Sequence, residues 1–67
     1  MIKINLNGKL IEIEENCNAY DLLKLMDITS KRLAIEVNEN ILPRSQFGDY
    51  RFKAADKVEI VHAIGGG

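Results

Sequence analysis

The residues of this chain best suited to chemistry stand at its end, where Gly65-Gly66-Gly67 follows directly on the apolar run Val58-Glu59-Ile60-Val61-His62-Ala63-Ile64. Glycine lacks a Cβ and accepts backbone angles closed to other residues, so three in a row can thread a narrow cleft and bend inside it. Fully extended they reach roughly 10 Å, at about 3.3–3.6 Å per residue. A carboxylate carried on such an arm at Gly67 can enter another protein's active site while the folded body stays outside as a docking handle. No polar linker separates the strand-like run from the glycines. The pattern therefore reads as a tail leaving an ordered edge rather than as a frayed end.

Two further side chains carry intrinsic reactivity. Cys17 stands just before a helix start, where the helix N-terminus lowers a thiol pKa. It reads either as a small packing residue or as a thiol forming a transient persulfide or mixed disulfide. His62 is the sole histidine and lies far along the chain from Cys17, with no spacing that pairs them for nucleophilic catalysis. It also lacks Cys, Asp or Glu at ligand spacing, so neither a metal nor a bound cofactor is expected. A free-standing enzyme finds no support in the residue spacing.

The elements that must position the tail follow from periodicity. Ile2-Lys3-Ile4-Asn5-Leu6 alternates, Asn7-Gly8 follows, and Leu10-Ile11-Glu12-Ile13-Glu14 continues. Asn-Gly between two such runs predicts a hairpin through a type I′ turn, which needs positive φ at both central residues. Ile2, Ile4 and Leu6 fall on one face beside Ile11 and Ile13. A helix is predicted over 19–27, capped by Asn18 and answered by Asp21. Ala19, Leu22 or Leu23, and Met26 would lie on its core face.

After the polar break Thr29-Ser30-Lys31-Arg32, Leu33-Ala34-Ile35-Glu36-Val37 predicts a third strand with Leu33, Ile35 and Val37 on one side. Asn38-Glu39-Asn40 turns into Ile41-Leu42-Pro43-Arg44, where a proline that cannot donate to a ladder suits an edge. A turn or short 3₁₀ piece over 45–49 follows, then Tyr50-Arg51-Phe52, then a turn at Ala55-Asp56. The last strand has apolar residues at both parities, as a central strand would, and is expected to pair in parallel with the first. The fold class is α+β: a mixed sheet of four to five strands packed on one helix.

The 67 residues are 46% hydrophobic, which suits one small domain, 1–64, with the glycine tail at 65–67. Nine Lys and Arg against ten Asp and Glu, interleaved along the chain, give no basic block to attract nucleic acid. No stretch approaches the length of a membrane span, and no signal peptide is evident, which points to the cytoplasm. One cysteine allows no internal disulfide. Arg32, Arg44, Arg51 and Lys53 read either as scattered surface charge or as a partly basic face for acidic partner loops.

Val37-Asn38, the segment Leu42-Pro43-Arg44-Ser45, the turn at Asp56 and the closing Ile64 with its glycines together resemble the sulfur carrier proteins of thiamine biosynthesis, over the whole chain. The resemblance implies the ubiquitin-like β-grasp fold. It also implies that an adenylating enzyme, using ATP and Mg, activates the carboxylate of Gly67. A cysteine desulfurase or rhodanese-type sulfur donor would then convert it to a thiocarboxylate, and thiazole synthase would take up the sulfur. Gly65 and Gly66 would enter the partner's active site, with Ile64 as a docking contact beside them. Gly65 is one glycine more than the family's closing pair, and Phe47 stands where a larger aromatic is expected.

Three other readings remain open on the same residues: a sulfur carrier for molybdopterin synthesis, a ubiquitin-like modifier joined through Gly67 to lysines, and an inert interaction module. The short chain and Pro43-Arg44-Ser45 favour the thiamine branch.

Overall fold

A computed structural model describes residues 1–29 and 32–62. Ser30, Lys31 and 63–67 lie outside the described residues, and with them Ile64, Gly65, Gly66 and Gly67. The elements run β1 (Ile2–Leu6), β2 (Lys9–Ile13), α1 (Ala19–Leu25), β3 (Leu33–Val37), β4 (Asn40–Leu42), a 3₁₀ turn (Arg44–Gln46) and β5 (Lys57–His62). Across the sheet the order is β2-β1-β5-β3-β4. β5 pairs in parallel with β1 and antiparallel with β3, as the sequence implies. β4 is an edge, as Pro43 demands.

Turn chemistry fixes the registers. Asn7 and Gly8 take φ values of 50° and 83°, the double positive φ of a type I′ turn. Ile2 then faces Ile13, and Ile4 faces Ile11. Asn38 and Glu39, at 52° and 71°, form a second turn of the same hand that sets Val37 opposite Asn40.

The helix starts as its sequence dictates. The Asn18 side chain accepts from the Asp21 N–H at 2.8 Å, and the Asp21 carboxylate accepts from the Asn18 N–H at 3.2 Å, completing a capping box. Its end differs from expectation. The helix stops at Leu25, Met26 is its cap, and Asp27 turns left-handed at φ 58°. The Asp27 N–H then bonds the Lys24 carbonyl and the Ile28 N–H bonds the Leu23 carbonyl, a Schellman closure. This closure corrects the placement of Met26. Two helical turns bury Ala19 and Leu22, with Leu23 and Ile28 packed beside them, whereas Met26 lies past the buried stripe and is exposed.

One face of the sheet and the helix enclose the core. Ile4, Ile13, Leu22, Ile35, Phe47 and Val58 are its largest fully buried side chains. Phe47 fills its place with a single ring, which meets the Tyr20 ring in a T-shaped contact at 5.7 Å between centroids. The other face of the sheet carries no helix. This explains why Val61, on the central strand, is 54% exposed while its neighbour Ile60 is buried.

Replacing Leu22 by Ala removes a fully buried side chain, at a cost of about 2–5 kcal/mol. That is comparable to the whole stability expected of a domain this size, on the order of 3–10 kcal/mol. Urea unfolding should show the Leu22→Ala midpoint well below the parent's, and Leu25→Ala, at an exposed position, within about 0.5 kcal/mol of the parent.

Candidate functional site

The strand that leads to the tail is held along both edges, and the two edges use alternate residues. Even-numbered residues turn their backbone groups toward β1: the Asp56 carbonyl accepts from Asn5 N–H at 2.9 Å and the Val58 carbonyl from Asn7 N–H at 2.9 Å. β1 then turns away, and a side chain continues the ladder. The Asn7 carboxamide accepts from the Ile60 N–H at 2.8 Å and donates to the Ile60 carbonyl at 3.3 Å. Odd-numbered residues face β3, with Glu59 opposite Glu36 and Val61 opposite Ala34. Below them the Asn38 N–H donates to the Lys57 carbonyl at 2.7 Å, and the Asn38 side chain accepts from the Lys57 N–H at 3.0 Å.

The entry to β5 is locked by Asp56, a carboxylate only 6% exposed. One of its oxygens accepts from the Asn38 side chain at 3.0 Å; the other accepts from the Tyr50 hydroxyl at 2.8 Å and the Lys53 N–H at 2.9 Å. Burial alone would raise the Asp56 pKa. The hydrogen bonds from Lys53, Asn38 and Tyr50 outweigh it and hold the carboxyl below its ordinary value. Burial, and then the bond to this carboxylate, push the Tyr50 phenol up to about 12.

The uncovered face beside the strand end is apolar. Val61 and Ala34 are opposite one another, and Ile41, 70% exposed, faces Glu36 on the next strand. Val61 and Ala34 thus pair near the end of β5, and Ile41 lies on the edge strand, in register with Glu36 and Glu59. Glu36 and Glu59 are directly opposite each other on the same face, a pairing of like charges that weakens a sheet. A cleft of about 340 Å³ lies elsewhere, between the end of β2 and α1, lined by Glu14, Glu15, Cys17 and Asp21 among others. It is remote in topology from the strand that leads to the tail.

The residues singled out from the sequence fare unequally. His62 is exposed at the end of β5, opposite Leu33. Cys17 is buried, and burial, then the charges of Asp21 and Glu14, raise its pKa, the reverse of the lowering expected from a helix start. The helix is two turns long and carries Asp21 in its first turn, so its dipole is outweighed. Arg44 stacks on the Phe47 ring and bonds the Leu33 carbonyl, Arg51 bonds the Gly48 carbonyl, and Lys53 lies over Tyr50. Arg44, Arg51 and Lys53 are thus engaged with their own fold. Ile64, Gly65, Gly66 and Gly67 are outside the described residues. The clasp by Asn7 is invisible in the sequence, where Asn-Gly reads only as a turn; Asn38 and Asp56 are part of the sequence pattern, but nothing there joins them.

Comparison with known proteins decides the family. The profile of the ThiS family matches residues 4–67. The chain belongs to the ThiS family. It is 38% identical over 66 residues to the uncharacterized protein ycf40 of Porphyra purpurea, covering 98% of this chain and 93% of that one. It is 29% identical over 65 residues to the sulfur carrier protein ThiS of Bacillus subtilis, covering 96% and 98%. Thiazole synthase of Magnetococcus marinus matches 98% of the chain at 32% identity, but with only 20% of its own length. The crystal structure of the thiamine biosynthesis protein ThiS from Geobacter metallireducens superposes with a TM-score of 0.84 at 28% identity, covering 98% of this chain and all of that one. The fold is therefore the ubiquitin-like β-grasp of the ThiS sulfur carriers, small carrier proteins rather than catalysts. Among the described residues, no helix is long and apolar enough to cross a membrane.

The Asp56 lock gives stability a defined pH dependence. Its lowered carboxyl pKa stabilises the fold above the ordinary value of 3.8, and that contribution is lost as pH falls through the folded pKa. The raised Tyr50 pKa acts at the other end: its contribution is complete below pH 10 and lost as pH rises to about 12. Tyr50→Phe should cost about 1.5–3 kcal/mol, as expected for a hydrogen bond to a charged group. It should also abolish the alkaline loss, as read by urea unfolding at a series of pH values.

If Gly67 accepts sulfur as the resemblance implies, Cys17→Ser should leave that transfer intact, because a buried thiol with a raised pKa is a poor nucleophile. Loss of transfer in a folded variant would return Cys17 to the chemistry.

Proposed function

We propose that this chain is a protein cosubstrate whose Gly67 carboxylate carries sulfur for the synthesis of the thiazole of thiamine. The observation that carries the reading is β5: a central strand, pinned on both edges, leads directly into 63–67 and their three glycines, in a chain of the ThiS family. The match to one fifth of a thiazole synthase supports that acceptor over a molybdopterin synthase, since it places a ThiS-like segment and the synthase in one polypeptide.

The chemistry fits the division of labour. A carboxylate is a poor acyl electrophile until one oxygen becomes a good leaving group. In the proposed sequence a carboxylate oxygen of Gly67 attacks the α-phosphorus of ATP and pyrophosphate leaves, giving an acyl-adenylate. Sulfur from a donor persulfide, of the cysteine desulfurase or rhodanese type, then attacks the carbonyl carbon and AMP leaves. Reductive release from the donor by a thiol yields the thiocarboxylate, and thiazole synthase accepts its sulfur. Mg and the cationic groups that stabilise the phosphates belong to the adenylating partner. On this chain, Val61, Ala34 and Ile41 provide an exposed apolar face for docking, with Ile64 beside the glycines. Gly65 and Gly66 enter the active site because only residues without a Cβ thread so narrow a passage.

The test is ATP–pyrophosphate exchange catalysed by the adenylating enzyme. The full chain should support it. A chain lacking Gly66 and Gly67 should unfold at the same urea concentration yet give no exchange. Exchange that survives the truncation would refute the assignment to Gly67.

A further inference from the structure

We propose that Asn7 is a positioning residue for the reaction of the tail: its carboxamide closes the hairpin side of β5 at Ile60 and so holds the end of the strand from which the chain continues to Gly67. The inference rests on the carrier reading given above.

β1 pairs with β5 only at Asn5 opposite Lys57 and Leu6 opposite Val58. The chain then turns back through Asn7-Gly8 into β2. Without a further partner, the N–H and carbonyl of Ile60 would face no strand on that side. Asn7 supplies both missing groups from one side chain: its oxygen takes the Ile60 N–H at 2.8 Å and its nitrogen donates to the Ile60 carbonyl at 3.3 Å. A carboxamide has the donor and acceptor of a peptide unit, so it acts as one more rung of the ladder.

The turn by itself does not require this. A type I′ turn accepts Asn, Asp or Gly at φ near 50°, and Asn7 stands at 50°. Of those three, only Asn carries at neutral pH both a donor and an acceptor. The clasp is therefore a second demand on the residue, distinct from the turn. Its partner is three sequence positions before the first residue of 63–67.

Position matters to a carrier because the reacting carboxylate must reach a fixed point in another protein. Each residue released from β5 adds about 3.3 Å to the length of chain that can wander. It spreads the terminal carboxylate over a larger volume and lowers its effective concentration at the partner's site. β3 still holds the other edge, through Glu59 and Val61, so the apolar docking face survives loss of the clasp. Losing the clasp should thus depress turnover more than docking.

Two variants separate clasp from turn. Asn7→Gly keeps the left-handed turn and deletes the side chain; Asn7→Asp keeps the shape and the acceptor but loses the donor. At pH values below roughly 4 the introduced carboxyl is protonated and can donate again. In native-state hydrogen exchange, the Ile60 amide should exchange at least about tenfold faster in Asn7→Gly than in the parent, relative to the Ala34 and Glu36 amides on the opposite edge. In Asn7→Asp, which keeps the acceptor for the Ile60 N–H and loses only the donor to the Ile60 carbonyl, that amide should exchange more slowly than in Asn7→Gly. In adenylation, both variants should lose about three- to tenfold in kcat with KM within about twofold. An unchanged Ile60 amide would overturn the clasp. A parental kcat with the Ile60 amide released would overturn the positioning role. If the parent chain itself is not adenylated, the carrier reading fails instead, and the exchange data alone judge whether Asn7 fixes the strand end.

Discussion

The last strand in chain order occupies the middle of the sheet, and the rest of the molecule can be understood as what is needed to keep it there. A central strand must satisfy backbone groups on two edges. β3 provides one edge through five consecutive register positions. β1 provides the other for only two, because the hairpin turns away. Asn7 meets that shortfall at Ile60, while on the β3 edge Asn38 bonds Lys57 and Asp56 ties Asn38, Tyr50 and Lys53 into the turn that feeds the strand. One carboxamide, that of Asn7, thus does what a longer first strand would otherwise have done.

This arrangement separates rigid from reactive. In the proposed chemistry the acid, base and metal belong to the partner enzymes, and the thiol of Cys17 is buried with its pKa raised. What the folded body contributes is a last strand bonded along both edges and an apolar face on the same sheet. Helix α1 covers only one side of the sheet, which leaves Val61, Ala34 and Ile41 exposed on the other. In a chain with so few large side chains for its core, leaving such residues outside lowers the return from burial, and this is intelligible if a partner covers them.

Much of the fold was legible because its signals are local. Asn7-Gly8 dictates a turn by φ alone, Asn18 and Asp21 dictate a helix start, and period-two alternation in 2–6 and 33–37 dictates which side chains face inward. The misreadings arise where a local rule met a tertiary constraint. Met26 has the right spacing for a buried helix face, but the left-handed turn at Asp27 ends the helix first and brings Ile28 in instead. Cys17 is not among them: of its two readings the packing residue is the one the structure supports, with the side chain buried in the core and its pKa raised by burial and two nearby carboxylates. The side-chain bonds that hold β5 join positions up to 53 apart in sequence, and nothing in the order of residues announces them. The proposed reactive end was legible from composition and from likeness to the sulfur carriers, and its four residues lie outside the described structure.

The central claim is that the terminal carboxylate is converted to a thiocarboxylate while the body serves as a handle. The most direct measurement is the intact mass of the chain before and after incubation with the adenylating enzyme, ATP, magnesium and a sulfide source, with fragmentation to place any change. A gain equal to exchanging one oxygen for one sulfur, confined to Gly67 and absent without ATP, is the expected result. An unchanged mass, with an enzyme that modifies another carrier under the same conditions, would contradict it.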